Sequence, residues 1–145
     1  MFSLCVSASL QLILFSITFA VASCSLPSLE KPECTEARDA VKQLYSFHFG
    51  NDMHPTQENL KARERFLTAD LYKSLVGSAA SEDYFTKSEA PPKTFKIAKC
   101  EAPQSDKVRI QVQLYWRDDS KTTQKEVNVD AVKTGDAWLI NKISN

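Results

Sequence analysis

The chain has 145 residues, room for one domain and not comfortably for two. Its 18 basic and 18 acidic residues cancel, and the first of them is Glu30, so there is no broad positive field to draw in nucleic acid. The region after the apolar start has the charged, moderately aromatic, glycine-poor composition of an ordinary globular domain, without internal repeats or low-complexity tracts.

Residues 1–23 hold no charged side chain, and Leu10–Ala22 form an apolar run of the length of a signal h-region. A membrane-spanning helix needs about 20 apolar residues; residues 4–22 only just supply them, diluted by Ser7, Ser9, Gln11, Ser16 and Thr18. Ala20-Val21-Ala22 is an A-x-A cleavage site that would release a protein starting at Ser23. Val21-Ala22-Ser23-Cys24 resembles a bacterial lipobox, with Val21 in place of the usual Leu, and would make Cys24 the lipidated N-terminus. The first eleven residues lack Lys and Arg, which leaves an uncleaved anchor as a third outcome. Cysteine parity separates the three. Cys5 departs with the signal; lipidation of Cys24 then leaves Cys34 and Cys100, an even pair for an oxidising compartment, whereas a cut after Ala22 leaves an odd cysteine. The organisation expected is a signal peptide over 1–23, a Pro-containing tether over 24–34 and one domain over 35–145. The chain would be held to the membrane of a bacterial cell envelope by lipid on Cys24, with secretion as the alternative.

Thr35 is a helix cap with Glu36 in the first turn. Ala37, Ala40, Val41, Leu44, Tyr45 and His48 follow at helical spacing, until Gly50-Asn51 end the run. Thr56 caps a second, polar helix with a narrow apolar edge at Leu60, Phe66 and Leu67, and Thr68 caps a third, stopped by Gly77. Periodicity is lost from Ser78 to Pro92, a long loop in which Tyr84-Phe85 dip back onto the core. The period then becomes 2. Lys93–Ala102 alternate through Phe95 and Ile97. Lys107–Trp116 put Val108, Ile110, Val112, Leu114 and Trp116 on one face and Arg109, Gln111, Gln113, Tyr115 and Arg117 on the other. Val127, Val129 and Ala131 point inward from the next strand, and a turn at Thr134-Gly135 leads to the last, Asp136–Ser144. Short turns join these strands into an antiparallel meander with one face buried under the three helices. The expected fold class is α+β, with Val108, Ile110, Val112, Leu114, Val127, Val129, Trp138 and Ile140 packed on Val41, Leu44 and Leu71.

The stretches "ARDAVKQLYSFHF", "RERFLTADLYKSL", "VRIQVQLYW" and "VKTGDAWLINKI" carry a resemblance to the nuclear transport factor 2-like superfamily, the cystatin-like α+β cone. Within it the chain is similar to a bacterial family of unknown function that often carries lipoprotein or secretory signals. The similarity spans roughly residues 35–144. In such a fold the first helix lies across the sheet, so Cys34 and Cys100 can meet, and they are expected to form a disulfide. The alternative is two unrelated buried cysteines, with Cys100 on the strand face of Ala98. Enzymes of this superfamily work from the cone interior, where an Asp or His abstracts a proton and a Tyr or protonated acid stabilises the oxyanion. That directs attention to a candidate pocket of Tyr45, His48 and Tyr72, with Asp70 and Asp130 as the nearby acids.

The residues themselves point away from catalysis. Asp70 is explained by the first turn of its helix, Asp130 faces solvent by strand alternation, and the tyrosines stand where aromatic packing is the default. There is no C-x-x-C, no H-E-x-x-H, no G-x-S-x-G and no glycine-rich loop, so neither metal nor cofactor is expected. His48 lies on the apolar stripe as a core or pocket-lining residue, and His54, before Pro55, as a loop residue. The polar strand face of Arg109, Gln111, Gln113, Tyr115 and Arg117 is either a solvated surface or a surface for a protein partner or a second copy of the chain. Three functions follow: a membrane-tethered accessory lipoprotein without enzymatic activity, a small isomerase or dehydratase using the cone pocket, and an inhibitor or immunity protein that binds through its sheet.

Overall fold

The computed structural model describes residues 30–78, 80–118 and 121–145; the expected signal peptide, its cleavage sites and Cys24 lie outside them. The order is α1 (Pro32–Phe49), α2 (Gln57–Arg63) running into a 3-10 turn at Glu64–Phe66, α3 (Ala69–Leu75), then β1 (Thr94–Gln104), β2 (Lys107–Arg117), β3 (Thr122–Thr134) and β4 (Ala137–Ser144). The strands form one antiparallel sheet in the order β1-β2-β3-β4, and α1 packs across all four. The fold is α+β, helices on one face of an open meander.

α1 begins earlier than Thr35. Pro32 opens it, where a missing N–H costs nothing, after Lys31, which makes no side-chain cap. The expected tether boundary at residue 34 is therefore corrected: Pro32, Glu33 and Cys34 are helical, Glu30 pairs with Arg38, and Lys31 Nζ donates to the Ala102 carbonyl at 3.1 Å. Cys34, Ala37, Val41, Leu44, Tyr45 and His48 are all buried, the i, i+3, i+4 stripe of a helix on a core. Thr56 and Thr68 do cap α2 and α3; their hydroxyls accept from Asn59 N at 3.1 Å and Leu71 N at 3.3 Å. Thr68 N also donates to the Ile140 carbonyl at 2.9 Å, tying the α2–α3 junction to β4.

β2 and β3 follow strict alternation: Val108, Ile110, Val112, Leu114, Val127, Val129 and Ala131 are all at most 2% exposed. The outer strands break it. In β1, Ile97 pairs with Val112 and Cys100 with Ile110, so Ala98 and Lys99 together oppose Gln111. This β-bulge reverses the parity. Phe95 and Ile97 face the core before it, Cys100 and Ala102 after it. Cys100 thus leaves the face of Ala98, where alternation placed it, and turns toward α1. Arg38 Nη1 takes the Ala98 carbonyl at 2.7 Å, so the helix above holds the bulge in place. Cys34 and Cys100 are bonded, with Cα atoms 5.9 Å apart. In β4 a second bulge at Asn141, between the pairs Ala131–Ile140 and Asp130–Lys142, lets Trp138, Ile140 and Ile143 all reach the core. The β3–β4 loop is Gly135-Asp136, with Gly135 at φ +60, the first central position that a type II′ turn reserves for glycine.

Candidate functional site

The loop between α3 and β1 returns to the core as expected: Phe85 and Thr86 are buried, and Tyr84 is half-buried. What anchors it was not read from the sequence. Asp83, 8% exposed, presents one oxygen, Oδ1, to four donors: His48 Nε2 at 3.2 Å, Phe85 N at 2.9 Å, Thr86 N at 2.7 Å and Thr86 Oγ1 at 3.0 Å. His48, 1% exposed, receives Arg63 Nε on its other nitrogen at 2.8 Å. Arg63, also 1% exposed, donates further to the Asn59 and Asp52 carbonyls at 2.6 and 2.8 Å. A guanidinium cannot accept a hydrogen bond, so His48 Nδ1 must be the acceptor and the ring proton sits on Nε2, directed at Asp83. The result is a buried line of cation, neutral imidazole and carboxylate that ties α2, α1 and the loop together. Burial lowers the affinity of Arg63 for its proton, while the charges of Asp83 and Asp52 pull the other way.

The expected pocket residues separate. Tyr45 and His48 meet around Phe85: the Tyr45 hydroxyl donates to the Phe85 carbonyl at 2.8 Å, and the His48 and Phe85 rings lie 5.0 Å apart. Burial, and secondarily the charge of Asp83, push the Tyr45 phenol far above its ordinary pKa. Tyr72 stands on α3, half-buried under Lys61 Nζ, 5.6 Å from the ring centroid, and does not join them. Asp70 is exposed in the first turn of α3. His54 is an exposed loop residue, as expected, its Nδ1 2.5 Å from Asp52 Oδ1. The His54 backbone N–H, then its side chain, then Asn59 hold the Asp52 carboxyl well below the usual range.

This geometry leaves His48 nothing to do as a base. Both ring nitrogens are committed, and the ring is out of reach of any substrate proton. Arg63 and Asp83 are the residues that sequence reasoning missed. Arg63 follows Leu60 by three positions on α2, the spacing of one helical face, a signal that Arg63 turns inward. Asp83, three residues before Thr86, carries the pattern of a side chain capping its own turn.

A shallow cleft of about 50 Å³ opens over this line between α2 and the two flanking loops, with Met53, Leu60, Arg63, Leu75, Asp83 and Tyr84 among its walls. It adjoins a wider hollow of about 240 Å³, bordered by Asp52, His54, Asp83 and Glu89.

On the opposite side of the molecule the outer sheet face is left to solvent. Arg109 forms a two-pronged pair with Asp130 at 2.7 and 3.0 Å. Glu126 accepts from Gln111 at 2.8 Å and Gln113 at 3.0 Å, and Tyr115 donates to Gln113 Oε1 at 2.9 Å. Gln111, Gln113 and Tyr115 are thereby joined in one network through Glu126, Arg109 is paired separately with Asp130, and Arg117 stands exposed at the end of the face. Six basic side chains (Lys96, Lys99, Lys107, Arg109, Arg117 and Lys142) share this face with three acidic ones (Glu101, Glu126 and Asp130), a local excess in a chain of zero net charge.

No protein-family model matches the chain, and no curated protein does. Two solved structures share its fold. One is a chain of the native type VI effector–immunity complex Tae3–Tai3 from Ralstonia pickettii, with TM-score 0.57 and 17% identity, over 74% of this chain and 93% of that one. The other is a protein of unknown function from Bacteroides thetaiotaomicron, with TM-score 0.54 and 17% identity, over 77% and 90% of the two chains.

Proposed function

We propose that this chain is an inhibitor of the immunity type, which docks the solvent face of its sheet on an acidic surface of a protein partner. The observation that carries the reading is the outer face itself: a hydrogen-bonded platform around Tyr115, pre-ordered by Glu126, with an excess of basic groups. Pre-ordering lowers the entropy lost on binding, and the charge excess speeds encounter with an acidic partner. The shared fold with a chain of an effector–immunity complex supports this reading, as does the commitment of both His48 nitrogens, which weighs against the isomerase or dehydratase alternative. The test is protection. Each open reading frame flanking this chain's gene is expressed in a bacterial host with and without the chain. One of them should arrest growth, and the chain should restore it. Lys96→Glu, Arg117→Glu and Lys142→Glu combined should abolish the rescue without lowering the melting temperature. No protection against any flanking product, or full protection by the triple variant, overturns the reading.

We also propose that the chain works outside the cytoplasm, lipid-anchored through Cys24. The Cys34–Cys100 bond uses two cysteines of the expected mature chain, and Cys24 is left as the odd one. Intact-mass analysis of the membrane fraction should show loss of residues 1–23 and a gain of diacylglycerol type. A Cys24→Ser chain that remains uncut and membrane-bound would mean an anchor instead. Three helices leading into an antiparallel meander also support the resemblance to the nuclear transport factor 2-like superfamily.

A further inference from the structure

We propose that the cleft beside Asp83 is a binding site for a primary ammonium group carried on an aliphatic stem. The site lies apart from the sheet face and does not depend on the inhibitor reading. All four donors that reach the Asp83 carboxylate meet Oδ1. Among the described residues Oδ2 receives none, yet no buried side-chain atom is left unsatisfied, so Oδ2 is open to solvent. Its side chain is only 10% exposed, and Asp83 lines both the cleft and the adjoining hollow. Asp83 also borders a third hollow, with Glu82, Tyr84 and Lys87, and Oδ2 opens among these three cavities.

A carboxylate oxygen in a partly dry site attracts a cation far more strongly than one in bulk water. Arg63 is not that cation, because its bonded N–H groups go to His48, Asn59 and Asp52. The walls suit a hydrocarbon stem: Met53, Pro55, Leu60, Leu75 and Phe85 supply apolar surface around Asp83. Asp52 and Glu89 extend the negative charge along the hollow, and Asp52 is held ionised by His54 and Asn59. His54 and the half-buried Lys87, 3.7 Å above the Tyr84 ring, are the other titratable groups at the margin. The carboxylates do not suit a metal ion. Among the described residues, the His, Cys, Asp and Glu groups close enough to share one are Glu30, Cys34 and Cys100, and those sulfurs are bonded to each other. Carboxylates spread along an apolar trough fit an elongated organic cation.

Such an ammonium comes either free, as an alkyl diamine, or on the lysine side chain of a protein. Nitrogen-15-labelled full domain is titrated at neutral pH and low salt with cadaverine and, separately, with acetyl-Gly-Lys-Gly-amide. Saturable shifts are expected at the amides of Met53, His54, Asp83 and Tyr84, with a dissociation constant of about millimolar order. Cadaverine binding alone identifies a free amine; peptide binding of equal or greater strength identifies a lysine side chain. Glu89→Lys places a repulsive charge on an exposed side chain and should weaken binding by roughly fivefold or more. Asp83→Asn keeps the Oδ1 acceptor that holds the loop, puts an amide at the open position, and should abolish binding. The proposal is overturned by an absence of saturable shifts with both probes up to about 50 mM. It is equally overturned by shifts that survive both variants, or by the same shifts on adding calcium chloride.

Discussion

Replacing Asp83 by Ala would remove the one acceptor that four donors around the loop between α3 and β1 share. His48 Nε2–H, Phe85 N–H and both Thr86 donors lose their acceptor together. His48 and Thr86 are 1% and 0% exposed, so water cannot replace it without the loop opening. Each stranded buried donor costs about 1–3 kcal/mol. The Thr86 hydroxyl still has Ser88 Oγ, so the two donors without an alternative, His48 Nε2–H and Thr86 N–H, imply a loss of about 2–6 kcal/mol, a large part of the roughly 5–15 kcal/mol by which domains of this size are usually stable. Arg63 adds to the cost, because the charge that helps keep it protonated in the core is gone. Urea unfolding gives the total, and amide exchange at Phe85 and Thr86 shows whether the loop opens first. Asp83→Asn keeps an oxygen at the same place and should cost much less. A loss below about 1 kcal/mol for Ala, or equal losses for Ala and Asn, would show that acceptor count does not hold this loop.

Leu114→Ala, at a site of 0% exposure, should cost roughly 2–5 kcal/mol in urea unfolding, while Gln113→Ala on the outer face should cost little; equal effects would refute the register. Reducing Cys34–Cys100, which are 66 positions apart, frees a loop whose closure entropy is worth about 4 kcal/mol. The melting temperature should fall on adding reductant, and two free thiols in unreduced protein purified from an oxidising compartment would contradict the bond. Asp52, Glu36 and Glu101 all have carboxyl pKa values lowered by hydrogen bonds and ion pairs. Their contribution is present above the unfolded values of about 4 and is lost as pH falls through the folded ones. The melting temperature should thus hold from neutrality to about pH 4.5 and drop below it. Asp52→Asn should flatten that drop, and an unchanged acid limb would exclude Asp52 as a contributor.

Local patterning alone carried the middle of this fold. The alternation from Val108 to Leu114 told inside from outside because a central strand, paired on both sides, has no freedom to slip. Thr56 and Thr68 were legible as caps because capping involves only the next three residues. The outer-face residues Arg109, Gln111, Gln113 and Tyr115 followed from the same alternation. That Gln111, Gln113 and Tyr115 form one network, and that Arg109 is paired, depended on Glu126 and Asp130 of the neighbouring strand.

Where an element touches something distant in sequence, the local pattern gave way. Cys100 faces Cys34 only because a bulge at Ala98-Lys99 reverses the strand, and that bulge is held by Arg38, 60 residues earlier in the chain. Arg63, a charged residue of a polar helix, is buried because His48, the Asp52 carbonyl and, through His48, Asp83 replace its water. A buried charge is tolerated when partners satisfy it, and those partners come from α1, α2 and a loop. The sequence of each segment set its own periodicity and caps. Which polar groups could be buried was decided by the tertiary structure, because it alone supplied their hydrogen-bonding partners.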